Sequence, residues 1–104
     1  MNPAKVRKEH VKSLTDLPNI GPAMAEDLRL LGIFEPHQLQ GKSAYELYHQ
    51  LCEISGGKQD PCVIDVFLSI TDFINGGEPK AWWKYTAQRK AFLEDNSSLK
   101  SRTS

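Results

Sequence analysis

The sequence predicts an all-α fold: one domain of about five helices containing one helix-hairpin-helix. Three observations carry this. Every apolar stripe follows the helical period, and no alternation of apolar and polar residues lasts long enough for a strand. Proline and glycine fall where helices start and stop. The stretch Leu17 to Leu31, LPNIGPAMAEDLRLL, reads as a helical turn, a tight hairpin around Asn19-Ile20-Gly21, and a helix opened by Pro22.

The elements follow in order. Asn2-Pro3 suits an N-cap followed by proline in the first turn, which predicts a helix over about Pro3 to Lys12. A short helical turn around Leu14 to Leu17 enters the hairpin. The helix from Pro22 to Leu31 places Met24, Leu28 and Leu31 on one face and stops at Gly32. A turn over Pro36 to Leu39 ends at Gly41. Ser43-Ala-Tyr-Glu46 has the form of a capping box, and its helix aligns Ala44, Leu47, Tyr48, Leu51 and Ile54. Asp60 caps the next helix, with Pro61 at its first position. There Val63, Val66, Phe67, Ile70 and Ile74 form the core stripe, Ile64 and Leu68 widen it, and Asp65, Ser69 and Asp72 form a narrow polar face read as solvated. It is the most apolar helix, which predicts a central position. A last helix over Lys80 to Leu93 carries Trp82, Trp83, Tyr85 and Phe92. Residues 1–94 form the domain, and 95–104, DNSSLKSRTS, read as a polar disordered tail.

Composition narrows the function classes. A chain of 104 residues, 39% apolar and 25% charged, can bury a core without staples. No apolar run approaches the roughly 20 residues that span a bilayer, and the first dozen residues lack the apolar core of a signal peptide. A cytoplasmic location is therefore expected. Thirteen basic residues balance thirteen acidic ones, so no overall basic excess points to nucleic acid. The distribution is uneven: Lys5, Arg7, Lys8 and Lys12 crowd one end, and Lys80, Lys84, Arg89 and Lys90 follow one another with no acid between them. Each group reads equally as a solvated helix face.

The hairpin is the first candidate site. The leading N–H groups of a helix have no internal partner, and the helix dipole favours an anion there. Gly21 permits close backbone approach, and Pro22 costs little in a first turn. Expected phosphate contacts are Asn19, Ile20, Gly21, Ala23 and Met24, supported by Lys12, Lys84, Arg89 and Lys90. The competing reading is a tight structural connection between packed helices. Trp82, Trp83 and Tyr85 lie among lysines, a composition that stacks bases in single-strand binders. Neighbouring tryptophans diverge by about 100° on a helix, so one of them belongs to the core.

No other group of residues makes a site. Cys62 lies in a first helical turn, where a thiol can be activated, but Asp60 and Asp65 oppose this, and a small buried apolar role competes. Cys52 and Cys62 match neither a redox pair nor a zinc knuckle; with His49 they offer three ligands and no fourth. There is no glycine-rich phosphate loop followed by lysine and no HExxH. Neither a cofactor nor a metal is expected, and no enzyme activity.

The segments LTDLPNIGPAMAEDLRLLGI, GKSAYELYHQLCEISG and KQDPCVIDVFLSITDFINGGEPKAWWKYTAQRK resemble the small bacterial helix-hairpin-helix proteins of the pathogenicity-locus family, whose members are often described as mitomycin resistance proteins. The resemblance covers about residues 12 to 91. Its specificity lies in QDPCVIDVF and WWKYTAQRK more than in the hairpin, which is also similar to the C-terminal domain of the competence regulator TfoX. It implies an all-helical fold, a link to DNA damage, and a phosphate site at Asn19, Ile20, Gly21 and the amides just after Pro22. The chain departs from the usual hairpin in having Asn19 where glycine is common and Ala23 where a basic residue is common; Glu26 and Asp27 follow. The leading expectation is a non-enzymatic, sequence-independent DNA-binding module. The alternative is a protein-interaction module or homodimer, with a structural hairpin and the Trp82-Trp83 segment as interface anchor.

Overall fold

A computed structural model describes the backbone of residues 5–57 and 59–103, with side chains as far as Glu94 except that of Lys8. The fold is all-α, and the described residues contain no strand. Four α-helices form: α1 (Pro22–Leu30), α2 (Ala44–Ser55), α3 (Cys62–Ile74) and α4 (Thr86–Thr103). Short 3-10 turns at Lys8–His10, Leu14–Asp16, Pro36–Leu39 and Trp82–Tyr85 link or precede them. None of the described helices is long and apolar enough to cross a membrane.

Local sequence explains most boundaries. The Ser43 hydroxyl accepts from the Glu46 amide, and Gly56 ends α2 at φ 73°, a left-handed conformation that favours glycine. Asp60 caps α3 through its carboxylate, which accepts from the Cys62 amide at 2.9 Å, while Pro61 is already helical at φ −56°. The Leu14–Asp16 turn is capped by Asp16, whose carboxylate accepts from the amides of Lys12 and Ser13 at 3.1 and 3.0 Å.

Four sequence expectations are corrected. The Asn2 cap and Pro3 lie outside the described residues, and the described part of the expected first helix holds only the Lys8–His10 turn. With Lys5, Arg7, Lys8 and Lys12 so close together and few apolar residues, that segment has no stripe to bury. The last helix starts at Thr86 rather than Lys80, because Trp82–Tyr85 closes as a 3-10 turn first, and its backbone continues to Thr103. The face of α3 is also rotated. Ile64, Phe67, Leu68, Ile70 and Phe73 are buried, whereas Val63, Val66 and Ile74 are only partly covered. Ile54, expected in the α2 stripe, is exposed.

The rotation has a cause: α3 is wrapped on its polar side too. Asp65 and Ser69 are fully buried. Asp65 accepts from the Thr86 hydroxyl at 2.7 Å and from Arg89 Nε at 2.9 Å. Ser69 accepts from Asn19 Nδ2 at 3.0 Å, and Asp72 accepts from the Tyr85 hydroxyl at 2.6 Å. Of the face read from sequence as solvated, Asp65 and Ser69 form an internal seam that holds the hairpin and the 82–89 segment, while Asp72 stays exposed at its edge. Positions 65, 69 and 72 are spaced by four and three, so they fall on one helix face. Beneath them lies a shared core of Leu14, Leu17, Ile20, Leu28, Leu39, Leu47, Leu51 and Phe67 with their neighbours. The Tyr45 and Phe92 rings, stacked with centroids 3.6 Å apart, join α2 to α4.

Breaking one half of the Asp65–Arg89 pair strands a buried charge. Arg89→Met is expected to lower unfolding stability by about 3–5 kcal/mol, and adding Asp65→Asn to recover much of that loss. Urea denaturation of the two variants checks this; a single variant as stable as the wild type contradicts it.

Candidate functional site

The hairpin, residues 17 to 21, is anchored from below and open above. Leu17, Pro18 and Ile20 are buried. Ile20, expected at the phosphate contact, has its side chain in the core, and its amide donates to the Leu17 carbonyl at 3.4 Å. Asn19 between them has φ 68°, the left-handed region that glycine usually fills and asparagine tolerates best among the rest. The departure from glycine at this position is thus conformationally equivalent.

Asparagine adds what glycine lacks. Its Nδ2 donates to Ser69 Oγ at 3.0 Å and to the Lys80 carbonyl at 2.8 Å, and its Oδ1 accepts from the Trp82 amide at 3.2 Å. One side chain thus ties the hairpin both to α3 and to the segment entering the Trp82–Tyr85 turn. The side chain expected to face phosphate is turned inward as a brace. Only its backbone remains available to a ligand.

Gly21 is the N-cap of α1, in extended backbone with φ −96° and ψ −176°, and exposed. Its carbonyl accepts from the Ala25 amide at 3.0 Å. The amides of Ala23 and Met24 precede the first intrahelical donor, the Ala25 amide, as at any helix start, and no side chain caps them. A Cβ placed on Gly21 would meet nothing within 4 Å, so the approach to these amides is open. Ala23 is exposed, and Met24 rests partly on the core.

The charges around this opening differ from expectation. Glu26 pairs with Arg29 one turn along α1, which offsets its repulsion of an anion. Lys12 and Lys84 are exposed, and the Asn19 brace brings Lys80, which sequence reasoning left out of the site, next to the hairpin through its own carbonyl. Lys90 is exposed on α4. Arg89 is not available to a ligand. It is turned in on Asp65, its side chain 11% exposed, and its guanidinium is held above its ordinary range by that carboxylate. An arginine paired with an aspartate 24 residues away in another helix has no local sequence signature, and this partner was missed for that reason.

Other groupings were placed as well. The Asp60 carboxylate hydrogen-bonds at Cys62, and this bond, with burial, pushes the thiol up and not down. His49 faces Glu53 at 2.9 Å, and the described residues hold no cluster of three side chains suited to a metal. An open depression of about 420 Å³ lies beside the site, lined by Lys42, Asp72, Asn75, Lys80, Tyr85 and Gln88. Its floor is the Tyr85–Asp72 hydrogen bond; burial and that carboxylate push the phenol up, so it stays a neutral donor.

Removing the brace separates its two contributions. Asn19→Ala is expected to lose about 2–4 kcal/mol of stability, from the strained backbone and the lost hydrogen bonds; Asn19→Gly should lose about 1 kcal/mol less, since it keeps the backbone. Equal losses in thermal or chemical denaturation would contradict a conformational role for this position.

Comparison with known proteins places these features in a family. No solved structure matches the chain. A mitomycin resistance protein of Streptomyces lavendulae, McrB, is 36% identical over 80 residues, covering 77% of this chain and 76% of that protein. The model of the Cdd1 pathogenicity-locus family matches residues 7–91, a span that contains the hairpin, the polar seam of α3 and the Trp82–Tyr85 turn together. On both likenesses, the chain belongs to the Cdd1 pathogenicity-locus family.

Proposed function

We propose that this protein is a non-enzymatic module that holds DNA by its phosphate backbone at the start of α1, without reading sequence. The observation that supports this most is the braced, open hairpin: amides of Gly21, Ala23 and Met24 at the surface, above a turn fixed by Asn19. Backbone amides at a helix start give an anion both hydrogen bonds and a favourable dipole. A turn already fixed loses little entropy on binding. Lys12, Lys80, Lys84 and Lys90 are the cations that would add to the contact. Such contacts go to phosphate and carry no base information. The name of the Streptomyces lavendulae relative motivates extending the proposal to a part in mitomycin resistance.

A second reading has its own support. Trp83 and Phe34 are 58% and 63% exposed, and aromatic side chains of this kind anchor protein interfaces. A homodimer or protein partner would cover them, and the hairpin would then be structural.

Fluorescence anisotropy with a labelled duplex separates the two. Micromolar binding is expected at low salt, weakening as salt rises, with a log–log slope near −3 for about three phosphates neutralised. Gly21→Glu should abolish it while leaving the melting temperature close to wild type, because the new side chain meets nothing and only opposes the phosphate charge. No binding at low salt, or equal binding by Gly21→Glu, overturns the DNA reading; size that rises with protein concentration, with no DNA affinity, supports the second one.

A further inference from the structure

The Trp82–Tyr85 turn holds an arrangement that phosphate binding alone does not use. Trp83 is among the most exposed large apolar residues of the protein, whereas the neighbouring Trp82 is half-buried with its amide bonded to Asn19. The two indoles meet edge to face, centroids 5.7 Å apart at 83°. Trp82 is therefore a fixed post, and Trp83 stands on it with its ring in solvent. Lys80 and Lys84 flank it in sequence, both exposed and neither in an ion pair among the described residues; the Lys80 ammonium lies over the Tyr85 ring, 5.8 Å from its centroid. Solvent exposure of an indole is unfavourable unless something covers it.

We propose that Trp83 stacks on an unpaired base, with Lys80 and Lys84 on the adjoining phosphates, so that the protein prefers single-stranded or frayed DNA to a closed duplex. This rests on the DNA-binding reading above and adds the form of nucleic acid. Charge decides for this ligand over an apolar protein surface: Lys84 sits on the turn beside the ring, exposed and with no ion pair among the described residues, a cation that a polyanion satisfies and an apolar partner would have to desolvate. Stacking needs an open π-face, which paired and stacked bases do not offer, whereas a single strand offers one at every residue. The geometry also fits one continuous strand. Trp83 is joined to the hairpin by the Trp82–Asn19 hydrogen bond, so its Cα lies within roughly 19 Å of Gly21 by summed bond reach, a span of two or three nucleotides.

The test compares a labelled thymidine 20-mer with a blunt duplex of the same length, binding to wild type, Trp83→Ala, Trp83→Phe and Gly21→Glu. Wild type is expected to bind the single strand several-fold more tightly, with quenching of tryptophan emission that the duplex does not cause. Trp83→Ala should lose about tenfold on the single strand and less than twofold on the duplex; Trp83→Phe should retain most of the preference. If Trp83→Ala weakens both ligands equally or neither, while Gly21→Glu weakens both, the stacking proposal falls and the phosphate reading stands. If wild type binds neither ligand at low salt, both fall. If Trp83→Ala changes the sedimentation of the free protein and leaves DNA binding unchanged, the ring is a protein interface and the proposal is overturned.

Discussion

The hydrogen bond between Asn19 and Ser69 is the contact on which the site depends. It joins the half-buried hairpin residue Asn19 to the central helix at Ser69, which is buried with Asp65 and Thr71 among otherwise apolar inward residues of α3. The Ser69 hydroxyl itself donates to the Val66 carbonyl at 2.6 Å, so its direction is fixed and the Asn19 amide meets an acceptor already held in place. Asp65 and Asp72 extend the same constraint along α3 toward Arg89, Thr86 and Tyr85. Turning α3 by one residue would swing all three polar groups by about 100° and separate each from its partner at once. An apolar core of aliphatic side chains accepts such shifts more easily than a directional seam does. The seam therefore sets the register of the whole molecule, and the core supplies most of the burial.

This arrangement connects stability to the surface. The first-turn amides of α1 lie on the outer side of a turn whose inner side is Leu17, Pro18, Ile20 and the Asn19 brace. The same brace reaches the Lys80 carbonyl and the Trp82 amide, so cations and an indole from a segment sixty residues away become neighbours of the hairpin. Neutral overall charge is then compatible with an anion site. Four of the acidic groups are directed elsewhere: Asp65 to Arg89, Asp72 to Tyr85, Glu26 to Arg29 and Asp16 to its own cap. What matters to a phosphate is the local field at the α1 opening, and that field is set by which acids are already partnered.

Much of the fold was legible because it is written in local signals. Pro22, Ser43 with Glu46, Asp60 with Pro61, and Gly56 each act within four residues, and their helices begin or end close to where those residues predict. The tight turn over residues 17–21 ahead of α1 was legible for the same reason. What the sequence concealed is non-local. Asp65, Ser69 and Asp72 read as a wet face, since nothing in a helical period tells a polar stripe facing water from one facing another segment. Arg89 read as a free cation because its partner lies 24 residues away. Asn19 read as a weakened glycine, while its three long-range hydrogen bonds could be found only in three dimensions. One hint was present: a serine in the middle of the most apolar helix is an unusual residue to leave there without a partner.

The central claim is that the α1 opening, held by Asn19, is where a phosphate sits. Backbone amide NMR tests it most directly, by titrating labelled protein with an unlabelled thymidine oligonucleotide at low salt. The account predicts that the largest shifts cluster at Gly21, Ala23 and Met24 and extend to the Trp82–Tyr85 turn, with the α3 seam residues Asp65 and Ser69 little changed. Shifts centred on another surface, or none at these amides at saturating ligand, would contradict it.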